Sequence, residues 1–157
     1  MVSFVTGKIN SGKTTFLLAK YLNQPIGDGV ISLKTMKNGR VHRYDALHLS
    51  SNQETLLAIH ELDLKDEVVA CKIGPYCFLE KGLKFIENEI EKMIHHQVEP
   101  IYLDEIGVLE LKEQGFYQIL KKLVASKLDL VLSTREDLLE EVIRKFNIEE
   151  MEIVTEL

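Results

Sequence analysis

The sequence predicts an α/β fold in which a mainly parallel sheet is flanked by helices, with an antiparallel hairpin insertion after the first helix. Two patterns lead to this prediction. Near the start, a buried-strand pattern at residues 2–6 leads into a glycine-rich segment and then into a helical pattern at 15–22. In the second half, compact apolar runs alternate with amphipathic helical segments, which is typical of parallel strands joined by right-handed crossovers.

The middle third of the chain has a different pattern from the second half. Residues 30–36 and 40–49 alternate like strands and are joined by Asn38-Gly39, a strong hairpin signal. Residues 54–60, 67–73 and 76–78 are further short strand candidates, so this region is predicted to be antiparallel. The later predicted elements are helices at 80–97, 116–124 and 138–146 and strands at 101–103, 128–132 and 151–155.

Length and composition predict one domain over residues 1–157, large enough to bury about two thirds of its unfolded surface. The net charge is −6, and the basic residues are scattered, which disfavours nucleic acid because duplex binding needs a positive stripe. No apolar run approaches the roughly 18 residues of a membrane span, and the start lacks a basic secretory leader. We therefore expect a cytoplasmic protein without a membrane partner, in which Cys71 and Cys77 are ordinary thiols.

The glycine-rich segment matches the phosphate-binding pattern G-x-x-x-x-G-K-[ST] at every fixed position. Gly7 and Gly12 permit the tight, partly left-handed path that turns successive N–H groups toward a polyphosphate, and the following helix adds its positive dipole. Lys13 supplies a charge for the β- and γ-phosphates, and the Thr14 hydroxyl can bind Mg²⁺. The predicted nucleotide-binding residues are Gly7, Lys8, Ile9, Asn10, Ser11, Gly12, Lys13, Thr14 and Thr15.

Two acidic residues follow the apolar run 101–103. Ligands of an open parallel sheet bind beyond the carboxyl ends of its strands, which is where Asp104 and Glu105 are expected. Asp104 is the predicted second metal ligand beside Thr14, and Glu105 is the predicted catalytic residue that polarises an attacking water. A simpler interpretation is that the two acids occupy a strand-ending turn without a catalytic role.

Charge that develops on a γ-phosphate also requires a cation. Arg135 follows a predicted buried strand on the same rim as Asp104, so it is the predicted third catalytic residue together with Lys13 and Glu105. An equally weighted alternative is that Arg135 pairs with Glu136 or Asp137 at a helix start. Arg43 in the hairpin is a weaker candidate, and the hydroxyls of Ser133 and Thr134 are placed to sense the γ-phosphate.

With both motifs located, the sequence resembles the thermophile-type nucleoside-triphosphatase family, known in animals as the cancer-related nucleoside-triphosphatase. The resemblance rests on Asp104-Glu105-Ile106-Gly107 followed by Glu110-Leu111, on the phosphate loop, on the Asn38-Gly39 hairpin and on the Gly74 region. Asn10-Ser11 differs from the proline and glycine that members often carry there. The resemblance implies a RecA-like P-loop core, Mg²⁺ as cofactor and slow hydrolysis of several nucleoside triphosphates, with Lys13, Thr14, Asp104 and Glu105 handling phosphate, metal and water.

Three functions remain open at this stage. The first is a hydrolase of ATP, GTP, CTP and UTP, since the Asn-Lys-x-Asp motif that reads guanine is absent from the sequence. The second is a nucleotide-binding switch with incidental hydrolysis, and the third is a small-molecule kinase, which would need an acceptor pocket and a basic lid such as the Arg40/Arg43 hairpin. Tyr44, Tyr76 and Phe78 are able to stack on a base, although core packing is the more common use of an aromatic side chain.

Overall fold

The computed structural model describes residues 1–155, and within them a sheet of nine strands is flanked by five α-helices. The strands are β1 Val2–Gly7, β2 Asp28–Lys37, β3 Arg40–His48, β4 Glu54–His60, β5 Val69–Ile73, β6 Tyr76–Leu79, β7 Ile101–Ile106, β8 Leu130–Arg135 and β9 Met151–Val154. The helices are α1 Lys13–Asn23, α2 Glu80–His95, α3 Val108–Leu111, α4 Tyr117–Ala125 and α5 Leu139–Lys145.

The sheet has a parallel half and an antiparallel half that share strand β2. The strand order is β5-β6-β4-β3-β2-β7-β8-β1-β9. From β2 to β9 every pairing is parallel, whereas β2, β3, β4, β6 and β5 pair antiparallel. The start of β2 lies beside β7, with Asp28 opposite Ile101, and its later part forms the hairpin with β3. The predicted antiparallel region is therefore an extension of the parallel sheet.

The hairpin between β2 and β3 turns at the predicted dipeptide. Asn38 has φ 52° and Gly39 has φ 78°. Positive φ at both central residues is the requirement of a type I′ turn, whose twist matches that of the flanking strands. The local sequence thus determines the turn between β2 and β3.

Helices cover both faces of the sheet. Helix α1 covers one face, where Leu17 and Tyr21 pack on a cluster that includes Val5 and Tyr102. Helices α2, α4 and α5 cover the other face, around a larger cluster that includes Phe4. No helix of residues 1–155 is both long and apolar enough to cross a membrane.

The carboxyl ends of three neighbouring strands meet at one edge of the sheet. Gly7 of β1 is opposite Arg135 of β8, and Ile106 of β7 is opposite Thr134. Strand β8 starts later than the predicted 128–132, at Leu130, which is opposite Val2 of β1. It also ends later, because its pairing with β1 continues through Arg135. The predicted site residues at these three strand ends are thereby brought together.

Candidate active site

The phosphate loop connects the end of β1 to the first turn of α1. Asn10 has φ 60° and Gly12 has φ 91°, so two residues of the loop occupy the left-handed region. Asparagine tolerates that region better than most side chains, which explains how Asn10 fits this position of the loop. Helix α1 begins directly after Gly12, with Phe16 N–H donating to Gly12 O at 2.9 Å.

Lys13 lies over the loop that precedes it. Its Nζ donates a 2.8 Å hydrogen bond to Lys8 O, and the side chain is only 5% exposed. A buried ammonium held by a single backbone carbonyl has donors to spare, and a phosphate oxygen entering the loop would supply a stronger, charged acceptor. Lys13 is therefore held over the loop by one hydrogen bond, with further N–H donors free for an acceptor.

The acidic pair on β7 occupies a β-bulge. Leu103 is opposite Leu132 and Ile106 is opposite Thr134, so Asp104 and Glu105 together face the single residue Ser133. Glu105 has φ 62°, an uncommon conformation for a non-glycine residue. Bulges redirect side chains next to active sites. Here Ile106 takes the core position, while Glu105 projects into the cleft beside the phosphate loop.

Asp104 is buried at 1% exposure and surrounded by donors. Its Oδ2 accepts hydrogen bonds from Thr14 Oγ1 at 2.6 Å and from Ser32 N–H at 3.1 Å, and its Oδ1 accepts from Ser133 Oγ. Burial raises the pKa of the Asp104 carboxyl, while these hydrogen bonds oppose the rise. The carboxylate is thus fixed within reach of the first turn of α1.

Thr14 and Asp104 together form a donor set that suits magnesium. A hydroxyl and one carboxylate are both hard oxygen ligands, and their oxygens lie 2.6 Å apart at the mouth of the phosphate loop. Mg²⁺ typically takes one or two protein ligands and completes its shell with water and phosphate oxygens. Within residues 1–155 no cluster of three or more His, Cys, Asp or Glu side chains offers a self-contained metal cage.

Glu105 faces the same cleft as the phosphate loop. Glu105 is exposed at the mouth of this cleft, but the side chains around its carboxyl exclude part of the solvent. Its pKa is raised to about 7, first by this desolvation and then by the neighbouring Asp104 charge. The positive charges of Lys13, Lys34 and Arg135 act in the opposite direction. A carboxyl group whose pKa lies near neutrality is able to accept a proton and release it again.

Two side chains at the rim of the cleft are candidates for the cation that faces the γ-phosphate position. Arg135 borders the cleft, and its Nε and Nη2 each donate to Asp137 at 3.1 Å, so the alternative ion pair and the cleft position are both observed. Lys34, which was not singled out from the sequence, also borders the cleft and donates to Asn10 Oδ1. Its signal in the sequence was weak, because a lysine in a hairpin strand is usually solvated.

Two hydroxyl groups on β8 have uses different from the expected one. Ser133 Oγ accepts from Glu105 N–H at 2.8 Å and donates to Asp104, so it holds both ends of the bulge. Thr134 Oγ1 donates to Ile106 O at 2.7 Å. Both side chains are buried, at 0% and 1% exposure. They position the acidic pair and do not face the phosphate position.

Arg43, the weaker candidate for the catalytic cation, donates from its Nε to Asp45 within the same strand.

The sequence model of a family described as NTPase matches residues 2–156. The chain belongs to this NTPase family. A curated relative, nucleoside-triphosphatase THEP1 of Methanocaldococcus jannaschii, is 27% identical over 128 residues, which cover 78% of this chain and 71% of that protein. The family resemblance that rested on the phosphate loop and on Asp104-Glu105-Ile106-Gly107 followed by Glu110-Leu111 is confirmed.

Two solved structures share the fold of this NTPase. The solution structure of a human cancer-related nucleoside triphosphatase has a TM-score of 0.67 at 20% identity, covering 99% of this chain and 88% of the human chain. The crystal structure of THEP1 from Aquifex aeolicus has a TM-score of 0.68 at 13% identity, covering 99% and 89%. The predicted P-loop α/β fold is confirmed.

The loop that follows the acidic pair of this NTPase is organised by Glu110. Its two carboxylate oxygens accept hydrogen bonds from Gly107 N–H at 2.9 Å and from Phe116 N–H at 3.2 Å. Glu110 is 3% exposed, and burial raises its pKa to about 7. In the sequence, Glu110 stood out only as part of the motif that carries the family resemblance, because its two backbone partners depend on how the loop folds.

Two neighbouring cavities meet at Glu105. The first, of about 440 Å³, is lined by the phosphate loop together with Lys34 and Arg135. The second, of about 270 Å³, extends from Glu105 toward Glu110 and is lined largely by apolar side chains. The aromatic residues considered for base stacking, Tyr44, Tyr76 and Phe78, all line the second cavity, and Tyr44 also lines the first.

Proposed function

We propose that this chain is a Mg²⁺-dependent nucleoside-triphosphatase that hydrolyses ATP, GTP, CTP and UTP to the diphosphate and phosphate. One observation carries the proposal: the Thr14–Asp104 hydrogen bond joins the phosphate loop to the acidic strand end. Lys13 and Glu105 lie at the same cleft, which has the volume of a small-molecule site. The Methanocaldococcus jannaschii relative is named nucleoside-triphosphatase THEP1, and the human protein is named a nucleoside triphosphatase. The Aquifex aeolicus protein carries the name THEP1 as well.

The phosphate loop would bind the triphosphate. Residues 7–15 present backbone N–H groups at the start of α1, and Lys13 would exchange Lys8 O for a β- or γ-phosphate oxygen. Thr14 and Asp104 would hold Mg²⁺, which neutralises charge on the β- and γ-phosphates. Ser32 and Ser133 keep Asp104 oriented for that purpose.

Glu105 would orient the attacking water and accept its proton. The bulge aims its carboxylate at the cleft, and a pKa of about 7 leaves a large share ionised at neutral pH. Lys34 and Arg135 would counter the charge that develops on the γ-phosphate. In this assignment Lys13, Glu105 and Arg135 are the catalytic residues, with Lys34 added beside Arg135 from its position in the cleft.

The test is phosphate release from each of the four nucleotides, measured with Mg²⁺ for the wild type, Lys13→Ala and Glu105→Gln. We expect turnover with every base, loss of nucleotide affinity in Lys13→Ala, and retained binding with about 100-fold slower release in Glu105→Gln, the scale of general-base catalysis. Lys20→Ala, an exposed lysine of the same helix, is the matched control and should behave as the wild type.

Two outcomes would contradict the proposal. Equal turnover in Glu105→Gln and the wild type would remove Glu105 from the mechanism. Tight nucleotide binding that depends on Lys13, without phosphate release from any nucleotide, would instead favour a nucleotide-binding switch.

A further inference from the structure

The second cavity begins where the nucleotide cleft ends. Both cavities are lined by Glu105, Arg135 and Tyr44, and of the phosphate loop Ile9 reaches both. A molecule in the second cavity would therefore contact the same carboxylate that faces the phosphates. In phosphoryl transfer the nucleophile approaches in line with the leaving group, from the side of the γ-phosphate that the loop does not hold.

The walls of this cavity are apolar and partly open. Phe78 and Tyr76 on β6 are half-buried, and Ile73 on β5 is 38% exposed although it is a large aliphatic residue. Tyr44 and Tyr76 meet edge to face, with ring centroids 5.9 Å apart. Aromatic and aliphatic side chains that converge on one concavity, with a few polar groups at one end, are typical of a small-molecule site.

The charges of the cavity restrict the chemistry of its ligand. Glu105 and Glu110 contribute carboxylates, and the guanidinium of Arg135 is already engaged by Asp137. An anionic ligand such as a nucleoside monophosphate would meet two acidic groups and one cation, Arg135, among the described lining residues. Arg135 is shared with Asp137 and, in the proposed function, with the γ-phosphate, so the cavity disfavours an anion. The basic residues of the hairpin are likewise committed, Arg40 to Asp63 and Arg43 to Asp45. A neutral ligand with an apolar body fits this lining.

We infer that the second cavity binds a neutral alcohol with an apolar or aromatic body, and that the enzyme transfers the γ-phosphate to this alcohol as well as to water. The alcohol oxygen forms a bond to the γ-phosphorus while the bond to the β-γ bridging oxygen breaks. The nucleoside diphosphate leaves with that electron pair, and the hydroxyl proton passes to the Glu105 carboxylate. The products are a phosphate monoester and the diphosphate. The inference rests on the proposed nucleotide site.

The experiment measures how the γ-phosphate is partitioned between water and an alcohol. Mg²⁺ and ATP are incubated with the enzyme and 2-phenylethanol, and in parallel with methanol at the same concentration. Inorganic phosphate and phosphate monoester are quantified by ³¹P NMR. Methanol reports the reactivity of an alcohol that the cavity does not hold. We expect 2-phenylethanol to give about tenfold more ester than methanol, because binding beside the γ-phosphate raises its effective concentration.

Variants of the cavity wall separate binding in the cavity from attack in solution. Ile73→Trp, or the smaller change Ile73→Phe, should fill the cavity from its open side and lower the ester-to-phosphate ratio of 2-phenylethanol to that of methanol. Ile153→Trp is the matched control, because Ile153 is 49% exposed on β9 at the opposite edge of the sheet. The control should keep the wild-type ratio.

The outcomes distinguish this inference from the proposed hydrolase. Phosphate release without an excess of the aromatic ester overturns the acceptor site and leaves the hydrolase standing. Ester formation without phosphate release supports the acceptor site and overturns the hydrolase. Absence of both products overturns both, and an ester yield that Ile73→Trp and Ile73→Phe leave unchanged overturns the placement of the alcohol in this cavity.

Discussion

Ser133 joins the two acidic residues of the site. Its hydroxyl donates to Asp104 and accepts from Glu105 N–H at 2.8 Å. Ser133 itself is fully buried, at 0% exposure. Ser133→Ala would leave a buried N–H and a carboxylate oxygen without this partner, which costs about 1–3 kcal/mol. We expect a lower free energy of unfolding and a higher Mg²⁺ requirement for phosphate release, because Asp104 loses its orientation.

A Mg²⁺ titration of turnover together with urea unfolding would test the role of Ser133. Ser126→Ala is the control, since the Ser126 hydroxyl bonds Leu123 O at the end of α4, far along the chain from the acidic pair. A Ser133→Ala enzyme with wild-type Mg²⁺ dependence would show that Asp104 is held without this hydroxyl.

Glu110 gives the fold a pH dependence of its own. Burial raises its pKa from 4.5 to about 7, so the folded state binds a proton that the unfolded state has lost between these values. The stabilisation that this proton adds to the free energy of unfolding is fully present below about pH 4.5. It decreases as pH rises and is lost above about pH 7. At 1.36 kcal/mol per pKa unit the loss is roughly 3 kcal/mol.

Denaturant unfolding at pH 5 and pH 8 measures the effect of Glu110 by the difference between the wild type and Glu110→Gln. The amide cannot ionise, so the variant should lose less stability between the two pH values. It should also be less stable than the wild type at pH 5, because its NH₂ group cannot accept the second backbone N–H. Equal pH dependence in both proteins would show that Glu110 does not titrate in this range.

At the level of elements, helix α2 packs closely on strand β4 because residue 82 is a glycine. A Cβ atom at Gly82 would come within 2.5 Å of Leu57 Cα and 2.6 Å of Leu56 O, both backbone atoms of β4. Gly82→Ala gains about 1 kcal/mol of helix propensity, but forcing α2 away from β4 costs typically 1–3 kcal/mol. We expect net destabilisation, because the obstructing atoms belong to a strand in the middle of its sheet.

Thermal unfolding of Gly82→Ala and Glu87→Ala would separate these effects. Glu87 is exposed on the same helix, so its alanine variant reports propensity without the contact, and its melting temperature should be unchanged or slightly raised. A Gly82→Ala protein that melts at or above the wild-type temperature would mean that α2 shifts without loss of packing.

The elements differ in how far their positions follow from local sequence. Asn38-Gly39 predicted the hairpin because two residues with positive φ determine the turn by themselves. The bulge at Asp104 and Glu105 could not be predicted, since it depends on the register between β7 and β8. The short helix α3 was also missed, because it depends on Glu110 contacting the Gly107 and Phe116 backbones.

For the whole molecule, the two halves of the sheet meet at the cleft beside the phosphate loop, where we propose that the nucleotide binds. The parallel half contributes the phosphate loop, Glu105 and Arg135, and the β2–β3 hairpin contributes Lys34 and Tyr44. Lys34 donates to Asn10 and so links the hairpin to the loop directly. The sequence predicted the loop and the acidic pair, and from the hairpin it offered Arg43 and Tyr44 as candidates but not Lys34. Strand patterns carry no information on which distant segment a strand approaches.

Nucleotide binding should therefore order both halves together. We expect Mg²⁺ and a non-hydrolysable ATP analogue to slow amide hydrogen exchange in residues 7–15 and also in the hairpin around Lys34 and Tyr44, because a ligand that contacts both stabilises both against local opening. Edge strand β5, at the far end of the antiparallel half, is the internal reference and should be unaffected. In Lys34→Ala the loop should remain protected while the hairpin loses much of its protection. Protection confined to residues 7–15 in the wild type would mean that the hairpin borders the cleft without contributing to binding.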